Sequence, residues 1–155
     1  MITDNQGTLV FLTPGFPENE ADTNCIPVFQ DFLLNLKKRY PKINLMVIAF
    51  HYPFKKGYYI WNGISVYSAG GKNCGYMKKF FLWIAVFIKL VKLNKKYKIT
   101  AIQSLWLGEC TLVGQWFSNL FSINHIAYLM GQDAKPENKY LKLIQFKRTI
   151  FVAMS

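Results

Sequence analysis

The stretch ITAIQSLWLGECTLVGQWFSNLFSINHIAYLMGQD, residues 99–133, contains one strand–helix–strand unit. Its first and last parts, Ile99–Ser104 and His125–Leu129, are short runs rich in apolar and β-forming side chains. Glu109–Phe121 lies between them and has the length of a helix of about three turns. A short buried strand, a helix and a second such strand are typical of a βαβ unit, so this stretch predicts a parallel sheet.

The rest of the chain shows the same alternation of strands and helices. A helix is expected from Asn24, as its N-cap residue, to the residue before Pro41, and Lys78–Leu93 predicts a second, longer helix. Four further runs predict strands of the same sheet: Thr8–Thr13, Asn44–Phe50, Ile60–Tyr67 and Thr149–Met154. With 155 residues, the chain has the length of one ordinary domain. The predicted fold class is therefore α/β, with a doubly wound and mostly parallel sheet.

Composition and charge restrict the classes of protein to which the chain can belong. Apolar residues make up 52% of the sequence, which excludes a disordered chain. The formal net charge of +11 attracts phosphate groups in lipids, nucleotides or nucleic acids. The basic residues form no Arg-rich run with interleaved aromatic residues, so nucleic acid is not an expected partner.

The sequence also indicates where the protein is located. Polar residues occupy the N-terminus where a signal peptide would be apolar, and the apolar run Phe80–Ile88 is too short to span a bilayer. Three widely spaced cysteines without a CxxC pair argue against a disulfide framework and against zinc: Cys25, Cys74 and Cys110. We expect a cytoplasmic protein, either soluble or peripheral to the membrane.

The helix predicted over Lys78–Leu93 has an apolar stripe and a basic face. Lys89, Lys92 and Lys96 fall on one side at helical spacing. Two interpretations stay open: the stripe packs on the sheet and the lysines are solvated, or the lysines attach the protein to anionic lipid. The residues of the apolar stripe are Phe80, Ile84, Phe87, Ile88 and Val91.

Four loops are expected at the carboxyl edge of the sheet, where open parallel sheets bind their ligands. They hold most of the reactive side chains that do not lie on helices. We therefore predict that these loops meet in one site: Pro14–Glu18, His51–Phe54, Trp106–Glu109 and Gly131–Asp133.

Several residues of these loops have both a chemical and a structural interpretation. Asp133 could orient a hydroxyl or steady developing positive charge, or it could cap the next turn with Gly131 at the bend. His51 could act as an acid, a base or a hydrogen-bond donor, and a structural role is the alternative. Glu109 could contact a substrate or the N-terminus of its own helix, and Trp106 could stack on a ligand or fill space.

Four segments resemble bacterial family 4 glycosyltransferases of the GT-B fold. FLTPGFPENEADTNCIPVFQDFLLNLKKRYP, residues 11–41, is similar to their first strand, acceptor loop and first helix. WNGISVY, residues 61–67, is similar to their W-x-G-I-x-V strand. IQSLWLGECTLVGQW and HIAYLMGQDA, residues 102–116 and 125–134, resemble the segments that lead to their H-G-x-D motif.

The resemblance implies two Rossmann-like domains with a cleft between them, of which residues 1–155 form the N-terminal, acceptor-binding domain. The donor-binding signatures of the second domain, a basic pair and an E-x7-E segment, do not occur in this sequence. The resemblance further implies a retaining hexosyl transfer from a nucleotide-sugar cosubstrate to a glycan or lipid-linked acceptor, without a cofactor or a metal. We expect the 155 residues alone to be inactive.

The family motif maps onto individual residues of this chain. Gly131 and Asp133 match its glycine and acid, whereas Met130 stands where the family has histidine, so His51 or Gln132 would have to replace that side chain. Gly15 lies where the family often has two adjacent glycines near the donor phosphates. Taking the motif and the four loops together, we expect Asp133 and His51 to be catalytic and the following residues to contact the acceptor or substrate: Gly15, Phe16, Glu18, Trp106, Glu109, Gly131 and Gln132.

A function of another class is the alternative to a transferase. The basic helix, residues 78–96, could attach a non-enzymatic module to an anionic membrane surface or to a partner protein. In that interpretation Lys89, Lys92 and Lys96 face the membrane.

Overall fold

Strands and helices alternate along the chain in the computed structural model, which describes residues 7–72 and 75–153. The strands are β1 (Thr8–Gly15), β2 (Asn44–Tyr52), β3 (Gly57–Trp61), β4 (Ile64–Ser68), β5 (Ile99–Leu105), β6 (Asn124–Leu129) and β7 (Ile150–Ala153). The helices are α1 (Pro27–Arg39), α2 (Tyr76–Lys96) and α3 (Glu109–Phe121). Three short 3-10 turns lie between β6 and β7, at Gln132–Ala134, Lys139–Lys142 and Phe146–Arg148.

The seven strands form one sheet in the order β3-β4-β2-β1-β5-β6-β7. Every neighbouring pair is parallel except β3 and β4. The connections β1–α1–β2 and β4–α2–β5 lead to opposite sides of β1, so the sheet is doubly wound. The predicted fold class is confirmed.

Helices cover both faces of the sheet because the central strands are apolar on both sides. On one face, Phe29 and Leu33 of α1 pack against Phe11 of β1. On the other face, α2 and α3 pack against β1, β2 and β5 through side chains such as Leu90 and Val113. The sheet therefore separates two apolar cores.

The single strand predicted over Ile60–Tyr67 is wrong, because β3 and β4 form an antiparallel hairpin there. Asn62 and Gly63 make the two-residue turn, with φ of 45° and 71°. Asn-Gly is the sequence that such a turn prefers, since both residues need positive φ. The prediction of an edge strand holds for β3, which lies at one end of the sheet.

The buried face of α2 differs from the predicted apolar stripe. Leu82, Val86, Leu90 and Leu93 point into the core. Of the predicted stripe, Phe87 and Val91 are partly buried, whereas three residues are exposed: Phe80, Ile84 and Ile88. The helix is apolar on more than one side, so spacing alone did not identify the side that packs.

The start of α1 differs from the prediction as well. Asn24 is not the N-cap: Ile26 precedes the helix in a left-handed conformation with φ of 52°, and Pro27 is the first helical residue. The Gln30 side chain holds the preceding loop in place, donating to the carbonyls of Asp22 and Cys25 over 3.1 and 2.8 Å. The predicted residues Cys74 and Met154 lie outside the described part of the chain.

Candidate functional site

The loops that follow β1, β2, β5 and β6 lie at one edge of the sheet. These four strands are parallel, so their carboxyl ends meet there, as the sequence predicts. Two hydrogen bonds join neighbouring loops: Phe16 N–H donates to the Tyr52 carbonyl over 3.0 Å, and Leu107 N–H donates to Asp133 Oδ2 over 2.7 Å. The strand order reverses between β1 and β5, which places the ligand crevice of this sheet type beside their two loops.

A buried carboxylate, Glu109, is the centre of a polar cluster at this edge. It is the first residue of α3, and its Oε1 lies 2.5 Å from His51 Nε2 near the end of β2. The indole N–H of Trp83 donates to Glu109 Oε2 over 2.6 Å, and Lys79 Nζ lies 3.8 Å from Oε1. We call His51, Lys79, Trp83 and Glu109 the rim cluster. Its members come from β2, α2 and α3, so tertiary structure alone brings them together.

Opposing influences act on the pKa of Glu109. Burial raises the pKa of this carboxyl, but the hydrogen bonds from His51 and Trp83 and the charge of Lys79 outweigh burial. The net pKa lies below its ordinary value, so Glu109 is ionised at neutral pH. A fixed carboxylate bound to an imidazole sets the orientation of the ring, which is the arrangement that positions a general base.

A pocket of about 200 Å³ opens beside the rim cluster. Lys79 and Trp83 of the cluster line it, and Lys139 Nζ lies 4.3 Å from the centroid of the Tyr76 ring. We call this space the rim pocket. Its walls combine aromatic faces with two ammonium groups next to a carboxylate, which suits a ligand with an apolar face and several hydroxyl or phosphate groups. The lining residues are Tyr76, Lys79, Trp83, Lys139, Tyr140 and Leu143.

Asp133 joins the loops after β5 and β6. Its Oδ2 accepts from Leu107 N–H over 2.7 Å and its Oδ1 accepts from Met130 N–H over 2.9 Å. Asn138 adds to this junction by donating to the carbonyls of Leu107 and Asp133. Gly131 supplies the bend with φ of 101°. The carboxylate therefore fixes the geometry of the edge at this point.

On the other face of the sheet, an apolar cleft of about 160 Å³ lies between α1 and the ends of β5 and β6. Met130, at the position where the resemblance expects histidine, lines this cleft. The thioether of Met130 is apolar and, unlike a histidine at this position, has no proton to donate. The other lining residues are Ile26, Val28, Phe29, Phe32, Gln103, Leu105 and Tyr128.

The remaining predicted site residues differ in how far they reach solvent. Phe16 is fully buried and packs edge-to-face on Trp61 at 5.0 Å between ring centroids, so it supports the edge from the core. Trp106 is partly buried in the same apolar cluster, with a left-handed φ of 65°. Glu18 and Gln132 are exposed on their loops.

Gly15 ends β1 at the carboxyl edge, next to Tyr52 and Cys25. A Cβ on this residue would lie 3.4 Å from Tyr52 Cβ and 3.5 Å from Cys25 Sγ. Burial, with the nearby charge of Asp22, raises the pKa of the Cys25 thiol to about 11. Both Cβ distances are ordinary van der Waals contacts, so an alanine would also fit at the position of Gly15.

Sequence reasoning missed Lys79, Trp83, Lys139 and Tyr140. The first two lie on α2, where helical spacing suggests only packing or solvation. The last two lie in a 3-10 turn of a segment without regular periodicity. In the described ranges, no three His, Cys, Asp or Glu side chains come together as a metal site.

Comparison with known proteins shows a likeness in structure only. No protein-family model and no curated protein matches the chain. A UGT transferase from Siraitia grosvenorii, solved in complex with UDP, has a TM-score of 0.53 and 10% identity over 79% of this chain and 24% of its own. Sucrose-phosphate synthase from Thermosynechococcus elongatus has a TM-score of 0.59 and 11% identity over 86% of this chain and 37% of its own.

These structures establish the class of fold. The chain has the Rossmann-like fold of a domain of GT-B glycosyltransferases. It spans 24% and 37% of the lengths of the two similar structures.

Proposed function

We propose that this chain is the acceptor-binding half of a retaining, family 4-like glycosyltransferase that transfers a hexosyl group to a glycan or lipid-linked acceptor. The observation that carries the proposal is the rim cluster, a buried carboxylate–imidazole pair next to an aromatic pocket at the carboxyl edge. The GT-B likeness supports the sugar-transferring class, and the sequence resemblance supports retention and the acceptor side.

The rim pocket suits a sugar acceptor. Rings of Trp83 and Tyr140 offer apolar faces to the C–H side of a sugar, while Lys79 and Glu109 offer a donor and an acceptor to its hydroxyl groups. His51 is buried and bonds to Glu109 through Nε2, so we assign it to catalysis through the orientation of the Glu109 carboxylate. Asp133 keeps the adjoining loops in position, and we assign it to catalysis through that geometry.

The donor belongs to a second domain in this proposal. The sequence contains neither a G-x-G-x-x-G nor a G-x-x-x-x-G-K-[ST] phosphate loop. A nucleotide sugar would therefore be bound by a donor-binding domain across the cleft, with this chain presenting the acceptor. Transfer requires both reactants in one geometry, so the 155 residues alone should bind an acceptor without turning over a donor.

A paired substitution tests the assignment in a protein where a donor-binding domain follows residues 1–155. Glu109→Gln removes the carboxylate charge that His51 orients, and we expect transfer from a nucleotide sugar to fall about a hundredfold or more. Glu137→Gln, at an exposed glutamate, removes the same charge outside the rim cluster and should leave the rate unchanged. Equal rates for the two variants would exclude the rim cluster from the reaction.

A second measurement tests the division between the two halves. Saturation-transfer NMR of the 155-residue chain should detect binding of an alkyl glucoside, and Glu109→Gln should weaken that signal. The same chain mixed with a nucleotide sugar should give no product. Turnover by the isolated chain would contradict the need for a second domain.

A further inference from the structure

The outer side of α2 carries a ridge of exposed apolar side chains. Met77, Phe81, Ile84 and Ile88 follow one another at intervals of four, three and four residues, which places them on one face of the helix. Their exposed fractions range from 39% to 78%. This ridge points away from Leu82, Val86 and the other residues that α2 packs into the core.

Helix α3 widens the ridge. Trp116 and Leu120 are exposed by 41% and 65%, and they line an open groove together with Ile84 and Phe87 of α2. We call the surface formed by Met77, Phe81, Ile84, Ile88, Trp116 and Leu120 the α2–α3 face. Adjacent apolar side chains over two helices are uncommon on a surface that faces only water, and they mark an interaction site.

The charges around this face are of one sign. Helix α2 contains six lysines and no acidic residue: Lys78, Lys79, Lys89, Lys92, Lys95 and Lys96. Four of the eight acidic residues of the chain lie within residues 18–31, on or before α1, which covers the opposite face of the sheet. The only acidic residue of α3 is the buried Glu109. Positive charge therefore borders the apolar ridge and negative charge lies away from it.

We infer that the α2–α3 face binds the surface of an anionic lipid bilayer, with α2 lying in the plane of the interface. Apolar side chains inserted at the headgroup level and lysines beside them are the two contributions that hold a helix at such a surface. Within residues 7–72 and 75–153, no helix is both long and apolar enough to cross a membrane, so α2 would lie on the bilayer. The charge pattern favours anionic lipid over an uncharged partner.

This surface differs from the basic face expected from sequence. Lys89 Nζ lies over the Tyr67 ring at 4.5 Å from its centroid, so this lysine is held against the sheet. Lys92 and Lys96 are exposed and flank the ridge. The apolar ridge, and not Lys89, makes the inner contact with lipid. Since Lys79 and Trp83 lie in the first half of the same helix and line the rim pocket, docking would also bring that pocket close to the bilayer.

Vesicle sedimentation of the 155-residue chain tests the inference with a matched pair of variants. Ile88→Ser changes the ridge, where the side chain is 47% exposed, and Ile60→Ser makes the same change on β3, where it is 53% exposed. With vesicles of phosphatidylcholine and phosphatidylglycerol, we expect Ile88→Ser to weaken binding about tenfold. Ile60→Ser should bind like the unchanged chain. Thermal unfolding checks that both variants are folded.

The charge contribution is tested by a second pair. Lys92→Gln and Lys95→Gln should each weaken binding to the anionic vesicles about fivefold. Lys38→Gln and Lys42→Gln, at exposed lysines near the end of α1, should have a smaller effect. Vesicles of phosphatidylcholine alone should bind the chain much more weakly than the anionic ones.

Two results would overturn the inference. One is a failure of the vesicle test, in which the unchanged chain does not bind anionic vesicles or Ile88→Ser and Ile60→Ser weaken its binding equally. The other is a dimer in analytical ultracentrifugation that Ile88→Ser dissociates, since the face would then join two copies of the chain. Membrane docking does not depend on the proposed transfer reaction, so failure of either leaves the other standing.

Discussion

A pH-dependent loss of stability is expected from His125, which lies buried on β6 in a network of uncharged groups. Its Nε2 lies 2.9 Å from Ser104 Oγ and its Nδ1 lies 3.0 Å from Thr149 Oγ1. Gln115 donates to the same Thr149 hydroxyl, and Thr111 lies next to Ser104. The neutral ring satisfies this network by donating from Nε2 and accepting at Nδ1, whereas a protonated ring would have to donate from both atoms.

Burial lowers the pKa of His125 from 6.5 to about 4. The unfolded chain therefore binds a proton between pH 6.5 and pH 4 that the folded protein does not bind. The contribution of neutral His125 to the free energy of unfolding is fully present above pH 6.5. It decreases as the pH falls through this window, and the loss is complete below the folded pKa. A pKa shift of this size corresponds to a loss of about 3 kcal/mol in the free energy of unfolding. Domains of this size have a total stability of roughly 5–15 kcal/mol, so the loss is a large fraction.

Chemical denaturation of the unchanged chain and of His125→Gln across this pH range measures the effect. Glutamine has no proton to gain, so its difference from the unchanged chain isolates His125 from the carboxylates that also titrate in acid. We expect the unchanged chain to lose about 3 kcal/mol more than the variant between the two limits. Parallel curves for the two proteins would refute the reasoning, since they would show that protonation of His125 does not oppose folding.

Two further predictions, one for a substitution and one for a chemical reaction, follow from local packing. Gly114→Ala would place a Cβ 2.8 Å from His125 Nε2, and we expect it to cost about 1–3 kcal/mol in chemical denaturation. Gly57→Ala serves as the control, because a Cβ on Gly57 would have no neighbouring atom within 4 Å. Equal stabilities for the two variants would contradict the crowding at Gly114. Cys25, whose pKa is raised to about 11 by burial and by Asp22, should react with iodoacetamide about a hundredfold more slowly than free cysteine. Mass spectrometry follows this reaction, and alkylation at the rate of a free thiol would show that the thiol is not shielded.

The sequence identified most elements of the fold because strands and helices are encoded locally. The apolar runs in β1, β2 and β5 alternate with α1 and α3, and that alternation alone predicts a parallel sheet with its loops at one edge. The hairpin at Asn62 and Gly63 was missed although its turn has a local signal. The length of the run hid the turn, since eight residues also suit one strand.

The interior face of α2 could not be read from spacing. This helix has apolar residues on the side that packs, such as Leu90, and on the side that is exposed, such as Ile88. A hydrophobic pattern identifies a stripe when only one side is apolar, and here two sides satisfy it. The position of α2 on the sheet decides which residues are buried.

Thus the sequence by itself determined the class of fold and the four loops at the carboxyl edge, because strand direction follows from the order of the elements. Tertiary structure alone decided that Glu109 meets His51 and Trp83, residues 58 and 26 positions away in the chain. It also left Ile88 exposed on the α2–α3 face. Contacts between distant residues depend on how helices pack on the sheet, and no local pattern of side chains records that packing.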